Sequence, residues 1–340
     1  MITESEIRKV GEIIERYQRF AITTHVNPDG DGLGSEAALA AYLKQRKKEV
    51  RIFNSSEVPD NLKFLDPNNE MALFNEAAHV EYLTSADVLF ILDISDWERL
   101  RKLGEFVKPL GITKVCIDHH LKEAPFVELD IVHPEASSTG ELIYNLLTGL
   151  KAKMSKRISN ALFAAILTDT GGFRFSNTTA SVHKIAANLY EIGIDAQSIF
   201  HHIYESQPAS RIRLLTKVLN TISYHYNQQL AAISVTQKML HETGTTLKDI
   251  EGFADFPRSI NGVEVSLLFA ELADGRVKIS FRSKGNIEIN SLARKFAGGG
   301  HAYASGATVK GDLQEAINKI ISDSACARLF EREKDRYLQM

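Results

Sequence analysis

Cysteine is scarce: only Cys116 and Cys326 occur in 340 residues, far apart and each in an apolar setting. That excludes a disulfide framework and fits a reduced, cytoplasmic compartment. An apolar signal core is missing too, because the opening MITESEIRKVGEIIERYQRF carries charges throughout. No run approaches the ~18 apolar residues of a membrane helix, so no membrane partner is expected. One-sided charge is also absent: 40 Lys and Arg stand against 43 Asp and Glu, a net charge of −3. The chain as a whole does not advertise a nucleic-acid binder, which leaves only a local basic face for such contact. Neither an internal repeat nor a low-complexity tract is present.

What remains is ordinary globular material, 44% hydrophobic and 24% charged, in a chain long enough for two domains. Ile7, Val10, Ile13, Ile14 and Tyr17 fall at helical spacing. FAITTH then reads as a short buried strand, GSEAALAAYLKQRKK as a helix and VRIF as the next strand. Two further apolar runs, DVLFILD (87–93) and ITKVCID (112–118), each finish on an aspartate. Such runs, separated by helical patterns, predict an α/β domain with a mainly parallel sheet flanked by helices. Helical patterns dominate from residue 139 to about 220. Beyond them, ISYHYNQQLAAISVT has a hairpin pattern, and VEVSLLFAELADGRVKISFRS repeats it around Asp274-Gly275. Residues 312–337 read as helical and amphipathic. The expected plan is a first domain over 1–206, a connecting helix or linker over 207–221, and a smaller α+β domain with a mixed sheet over 222–340.

In an open parallel sheet, ligands collect where loops leave the carboxyl ends of the strands. His25 ends the first strand, and Asp29 and Asp31 follow it in HVNPDGDGLGS. Asp93 ends the second apolar run, and Asp118-His119-His120 ends the third. Taken singly these are weak signals, since an aspartate after a strand is most often a turn former or cap. The glycines and Pro28 of HVNPDGDGLGS accordingly read as a strand-to-helix turn. Together the residues say more: several carboxylates at one sheet edge repel each other unless a cation sits among them. Carboxylate and imidazole without thiolate favour Mn²⁺ or another fairly hard divalent ion over structural zinc. A carboxylate shared by two ions is the usual arrangement for phosphoryl transfer. Asp169, in AAILTDTGGFRFSNTT, ends an apolar helix, where a negative charge is unfavourable without a cation nearby. Ser138 with Glu141 reads as a capping box rather than a phosphate contact. His201-His202, inside SIFHHIYE, is assigned a surface or packing role.

The stretch 278–310 holds six Lys or Arg against the single acid Glu288. That local excess is a phosphate-binding face in an otherwise acidic chain. Gly298-Gly299-Gly300 then exposes backbone N–H groups, with His301 next. Three glycines exceed what a helix C-cap needs, and His301 with Arg282 suggests anion binding. Phe281, Phe296 and Tyr303 are candidates for base stacking, with core packing favoured for the two phenylalanines.

At this point HVNPDGDGLGS, ILDISD, IDHH, LTDTGGFRFSNTT and FAGGGHAYASGA, in this order, resemble the DHH phosphoesterase superfamily with its C-terminal DHH-associated (GGGH) domain. Length and plan are similar to the NrnA-type nano-RNases, oligoribonucleases that also act as 3′-phosphoadenosine 5′-phosphate phosphatases. RecJ-like exonucleases add further modules, family II pyrophosphatases lack GGGH, and membrane-bound cyclic-dinucleotide phosphodiesterases add transmembrane segments. The resemblance implies a site in the cleft between the domains with two divalent ions, Mn²⁺ being the expected metal. It assigns His25 and Asp29 to one ion, Asp31, His119 and Asp169 to the other, and Asp93 to both. Asp118 would support the site, and His120 would contact the scissile phosphate or protonate the leaving oxygen. Arg99, Arg282, Gly299, Gly300 and His301 would hold substrate. Ala297 departs from the more usual GGGGH.

The implied activity is hydrolysis of short oligoribonucleotides of two to five nucleotides to mononucleotides, and of 3′-phosphoadenosine 5′-phosphate to AMP. Short RNA and small nucleotides are thus the expected partners. No obligate protein partner is inferred, a homodimer being compatible with the reading. A cyclic or linear dinucleotide phosphodiesterase, a dedicated bisphosphate nucleotidase, and a catalytically silent nucleotide-binding regulator stand as alternatives. The last is disfavoured because every ligand position is filled.

Overall fold

The structure, a computed structural model, describes residues 2–94, 96–121 and 127–337. The chain divides into two compact units, Met1–Ser206 and Gln207–Met340. Strands β1 (Arg19–Thr23), β2 (Glu49–Asn54), β3 (Met71–Leu73), β4 (Val88–Leu92), β5 (Thr113–Asp118) and β6 (Leu129–Val132) form the sheet of the first unit. All pairs are parallel, in the order β3-β2-β1-β4-β5-β6. The chain builds outward from β1 on one side and from β4 on the other. Loops leaving these two strands diverge, and a crevice opens at their carboxyl ends.

Alternation of side chains explains why the strands read as continuous apolar runs. Phe20, Ile22, Phe90 and Leu92 pack on one face with Leu33 and Leu39. Ala21, Leu89 and Ile91 pack on the other with Tyr82, Leu83 and Leu103. Both faces are covered, so no polar stripe is left. Strands β3 and β6 escaped the sequence reading because they are short, partly exposed edges without such a run.

HVNPDGDGLGS folds differently from the expected turn. The helix begins at Gly30 and runs to Gln45, with Asp29 as its N-cap accepting from the N–H groups of Asp31 and Gly32. The left-handed residue of this loop is Asn27, φ 54°, not a glycine. Gly30, Gly32 and Gly34 lie within the helix and serve packing. A Cβ at Gly34 would stand 2.5 Å from the Ala161 carbonyl oxygen, one at Gly30 2.5 Å from Thr168 Cγ2, and one at Gly32 2.4 Å from Thr24 Oγ1. The bare backbone of Gly30 and Gly34 lets this helix press against the Lys156–Asp169 helix, and Gly32 makes room for Thr24.

The second unit carries β7 (Ser223–His225), β8 (Leu230–Val235), β9 (Val265–Glu271), β10 (Arg276–Ser283), β11 (Gly299–His301) and β12 (Ala304–Lys310), ordered β11-β12-β10-β9-β8-β7. Both expected hairpins form, and a parallel β8–β9 pair makes the sheet mixed. The Ala209–Leu219 helix, inside the segment expected to connect the domains, buries Leu214 and Val218 with Ile233, Val235 and Phe253 of this unit. The terminal helical stretch breaks into Leu313–Ile321 and Ser324–Tyr337. Phe281 is fully buried and Phe296 packs against the same core, which removes Phe281 as a stacking surface; Tyr303 is 42% exposed.

Ala297 ends the Asn290–Lys295 helix in the left-handed region, φ 55°, where the Gly298 N–H reaches back to the Ala293 carbonyl. Glycine is the residue that takes this position without a Cβ penalty. Ala297→Gly is therefore expected to stabilise the protein by about 0.5–1 kcal/mol, read as a higher denaturant midpoint. A lower midpoint would contradict the strain.

Candidate metal centre

The crevice between β1 and β4 gathers the predicted acids and histidines. His25 lies just past β1, Asp93 just past β4 and His119 just past β5. Asp31 sits in the first turn of the Gly30–Gln45 helix, and Asp169 closes the Lys156–Asp169 helix. Two groups form: His25, Asp29 and Asp93, and Asp31, His119 and Asp169. A third grouping joins Asp93 with His119 and His120.

Asp93 stands between the two groups. Its Oδ2 is 3.4 Å from His25 Nε2, while its Oδ1 is 3.6 Å from His119 Nε2. His119 Nε2 also lies 3.7 Å from Asp31 Oδ2 and 3.6 Å from Asp169 Oδ2, and His25 Nε2 is 3.8 Å from Asp29 Oδ2. At 3.4–3.8 Å these gaps are longer than ordinary hydrogen bonds. They suit donors about 2.1 Å from a shared ion. His119 Nε2 is buried with no hydrogen-bond partner among the described residues, although buried nitrogens are rarely left so. His25 Nδ1 lies 3.0 Å from the Val26 carbonyl, which turns Nε2 toward the carboxylates. Asp93 itself adopts φ 60°, a backbone strain typical of functional positions.

The surrounding network contains residues the sequence reading missed. Thr139 and Gly140 donate their N–H groups to Asp31 at 2.7 and 2.8 Å, and Thr139 Oγ1 donates to Asp93 Oδ1 at 3.1 Å. The N-terminus of the Thr139–Gly149 helix thus holds a carboxylate of the chain itself. Ser138 does cap that helix through the Glu141 N–H, but Glu141 accepts from Ser137 rather than completing the expected box. Behind His25, Asn54 accepts from the Thr24 N–H and donates to Glu36, a fully buried acid. Burial pushes Glu36 up to about 8 despite that hydrogen bond. A lone acid in the apolar face of GSEAALAAYL was the available signal for it.

The charges need a cation. Burial and the nearby Asp93, Asp169 and Asp29 hold Asp31 well above the usual carboxylate range. Burial, then Asp93 and Asp29, push Asp169 up to about 8. Burial works against a charged His25, but Asp29 and Asp93 outweigh it and raise it to about 10. Burial lowers His119, which suits a neutral ligand nitrogen. Oxygen and imidazole donors without thiolate, around an unpartnered nitrogen, fit hard divalent ions. In the metal-free protein Asp169 keeps its proton to about 8, against an ordinary 3.8. The stability this gives is full below the ordinary value and is lost as pH rises through the folded value. A bound divalent ion replaces that proton. Melting temperatures with chelator and with Mn²⁺ should diverge as pH rises from about 4 to about 8; a constant gap would refute the charge argument.

Other predicted residues fall in two places. Asp118, fully buried, accepts from the N–H of His120 and lies 2.8 Å from its Nδ1. Burial lowers the basicity of His120, but Asp118 and Asp93 prevail and raise it. Arg99 acts on the same imidazole in the opposite sense, and its carbonyl accepts the Val26 N–H. In the second unit, Arg282 pairs in register with Ala304, which pairs with His301. A Cβ at Gly300 or Gly298 would strike neighbouring backbone, whereas Gly299 has open space. The His301 side chain lies outside the described residues. His202 stacks on Phe64, and His201 is 3.6 Å from Glu205 on the surface.

Comparison with known proteins identifies the family. Residues 19–170 match the DHH family, N-terminal domain, and residues 227–325 match the DHHA1 domain. The chain is 32% identical to the "Bifunctional oligoribonuclease and PAP phosphatase NrnA" of Thermus thermophilus, over 93% of this chain and 92% of that protein. The Bacillus subtilis protein of the same name is 30% identical, over 87% of this chain and 91% of its own length. A crystal structure of an exopolyphosphatase-related protein from Bacteroides fragilis matches with a TM-score of 0.90 and 30% identity, covering 98% of both chains. The chain belongs to the DHH phosphoesterase family, with a DHHA1 domain in its second unit. It is a metal-dependent phosphoric ester hydrolase. Among the described residues no helix is long and apolar enough to cross a membrane.

Proposed function

We propose that the protein hydrolyses short oligoribonucleotides to mononucleotides and 3′-phosphoadenosine 5′-phosphate to AMP, with two Mn²⁺ ions held by His25, Asp29, Asp31, Asp93, His119 and Asp169. The observation that carries this reading is the Asp93 carboxylate, one oxygen facing His25 and the other His119. The substrates are those in the names of the Thermus thermophilus and Bacillus subtilis relatives. Bound divalent ions supply a lowered water pKa and charge neutralisation at the phosphate.

The chain's own residues do the rest. Thr139 and Gly140 aim Asp31, and Thr139 orients Asp93. An ionised Asp118 accepts only, so His120 donates to it from Nδ1 and presents Nε2 to the leaving oxygen. Arg99 contacts the phosphate near His120. Arg282, Gly299, Gly300 and His301 of the second unit hold the remainder of the substrate, where positive charge and open backbone suit a terminal phosphate. Supporting this, Gly299 has nothing within 4 Å of its missing Cβ.

A panel of linear dinucleotide, three- to five-nucleotide RNA, cyclic diadenylate and 3′-phosphoadenosine 5′-phosphate, run with Mn²⁺, tests the assignment. Turnover of the short RNA and the bisphosphate is expected. Turnover of the cyclic compound alone would instead make the protein a cyclic-dinucleotide phosphodiesterase, and of the bisphosphate alone a dedicated nucleotidase.

A further inference from the structure

The segment after Asp169 reads TGGFRFSN and holds two phenylalanines with opposite fates. Phe173 turns inward, 6.0 Å from the Phe163 ring and 5.4 Å from His183. Phe175 turns outward and is 44% exposed. A solvated phenyl ring forgoes about 1.5–3 kcal/mol of burial, and isolated cases are common on surfaces. This ring differs in being held in place.

Several contacts fix it. The Phe175 N–H donates to the Thr170 carbonyl at 3.0 Å, and the Phe173 N–H to Thr170 Oγ1 at 3.1 Å. Asn177 ties the far side of the loop down, donating to the carbonyls of Asp169 and Ser137 at 3.1 and 2.9 Å. One face of the ring, near Cζ, lies against Gly171, φ 57°, which leaves the other face for a ligand. A Cβ there would come within 2.4–2.6 Å of Cζ, Cε1 and Cε2. Arg174 donates from Nε to the Gly171 carbonyl at 2.6 Å, and its guanidinium stands 5.9 Å from the Phe175 ring centre. A flat apolar ring, six residues along the chain from Asp169, is thus clamped against Gly171, with a cation over it.

We propose that Phe175 is a stacking platform for a nucleobase of the substrate, setting a preference for nucleotides over phosphate esters that lack a base. The inference rests on the phosphoesterase reading above and names the substrate feature that its site recognises. Any base presents a π-face, so the platform selects for a base without selecting its identity. Arg174, over the ring, adds positive charge for the adjoining phosphate.

The test is calorimetric titration of the full-length, Mn²⁺-loaded protein with AMP and with ribose 5-phosphate. Wild-type protein should bind AMP more tightly than ribose 5-phosphate. Phe175→Ala should weaken AMP about tenfold and leave ribose 5-phosphate unchanged. Phe175→Trp should restore AMP binding, whereas Phe175→Leu, apolar but not flat, should not. Equal affinity of wild type for the two ligands, unchanged AMP binding in Phe175→Ala, parallel loss of both ligands, or full rescue by leucine would each overturn the platform. Hydrolysis of a linear dinucleotide by wild type is scored separately. Its absence with base-dependent binding intact would refute the functional reading and spare the platform.

Discussion

Asp93→Asn is expected to lower hydrolysis by about 10³-fold and to reduce bound Mn²⁺ while the protein stays folded. The substitution keeps the shape of the side chain and removes its charge. It also keeps the backbone comfortable, because asparagine tolerates the left-handed region that Asp93 occupies at φ 60°. What disappears is the anionic carboxylate whose two oxygens face His25 and His119. A ligand set that loses its shared member loses the cation that stabilises charge in the transition state, worth several kcal/mol, and each ~1.4 kcal/mol is tenfold in rate. Thermal melting, metal analysis and the rate on short RNA check the three parts together. A variant that melts like wild type and keeps half its activity would remove Asp93 from the centre of the site.

Gly34→Ala should cost about 3 kcal/mol of stability although it adds one methyl group to a helix, where alanine is normally favoured over glycine. The reason is steric. The new Cβ would sit 2.5 Å from the Ala161 carbonyl oxygen and 2.9 Å from Ala165 Cβ, so a helix backbone has to move. The two helices forced apart are those bearing Asp31 and Asp169, which meet at His119 Nε2. Weaker Mn²⁺ affinity should therefore accompany the lost stability. Gly111→Ala is the control, since nothing lies within 4 Å of its missing Cβ and its φ is ordinary. Denaturant unfolding compares the two, and equal midpoints would contradict the close approach of these helices.

Much of the site was legible before folding because its ligands sit at ends of locally recognisable strands. His25, Asp93 and Asp118-His119-His120 each follow an apolar run, and parallel sheets put such ends on one edge. Asp169 was legible by conflict, as an acid at the end of an apolar helix. The supporting groups were not. Thr139 meets Asp31 across 108 residues, and Asn54 meets Glu36 from a neighbouring element; neither contact leaves a local pattern.

HVNPDGDGLGS divides the two kinds of information. Its composition alone determined that acid and imidazole would leave the first strand together, since short-range pattern sets where a strand stops. Only the tertiary structure decided what its glycines do. Gly30 and Gly34 spare room for a helix about 130 residues away, because the clearance between two packed backbones depends on side chains that the local sequence does not contain.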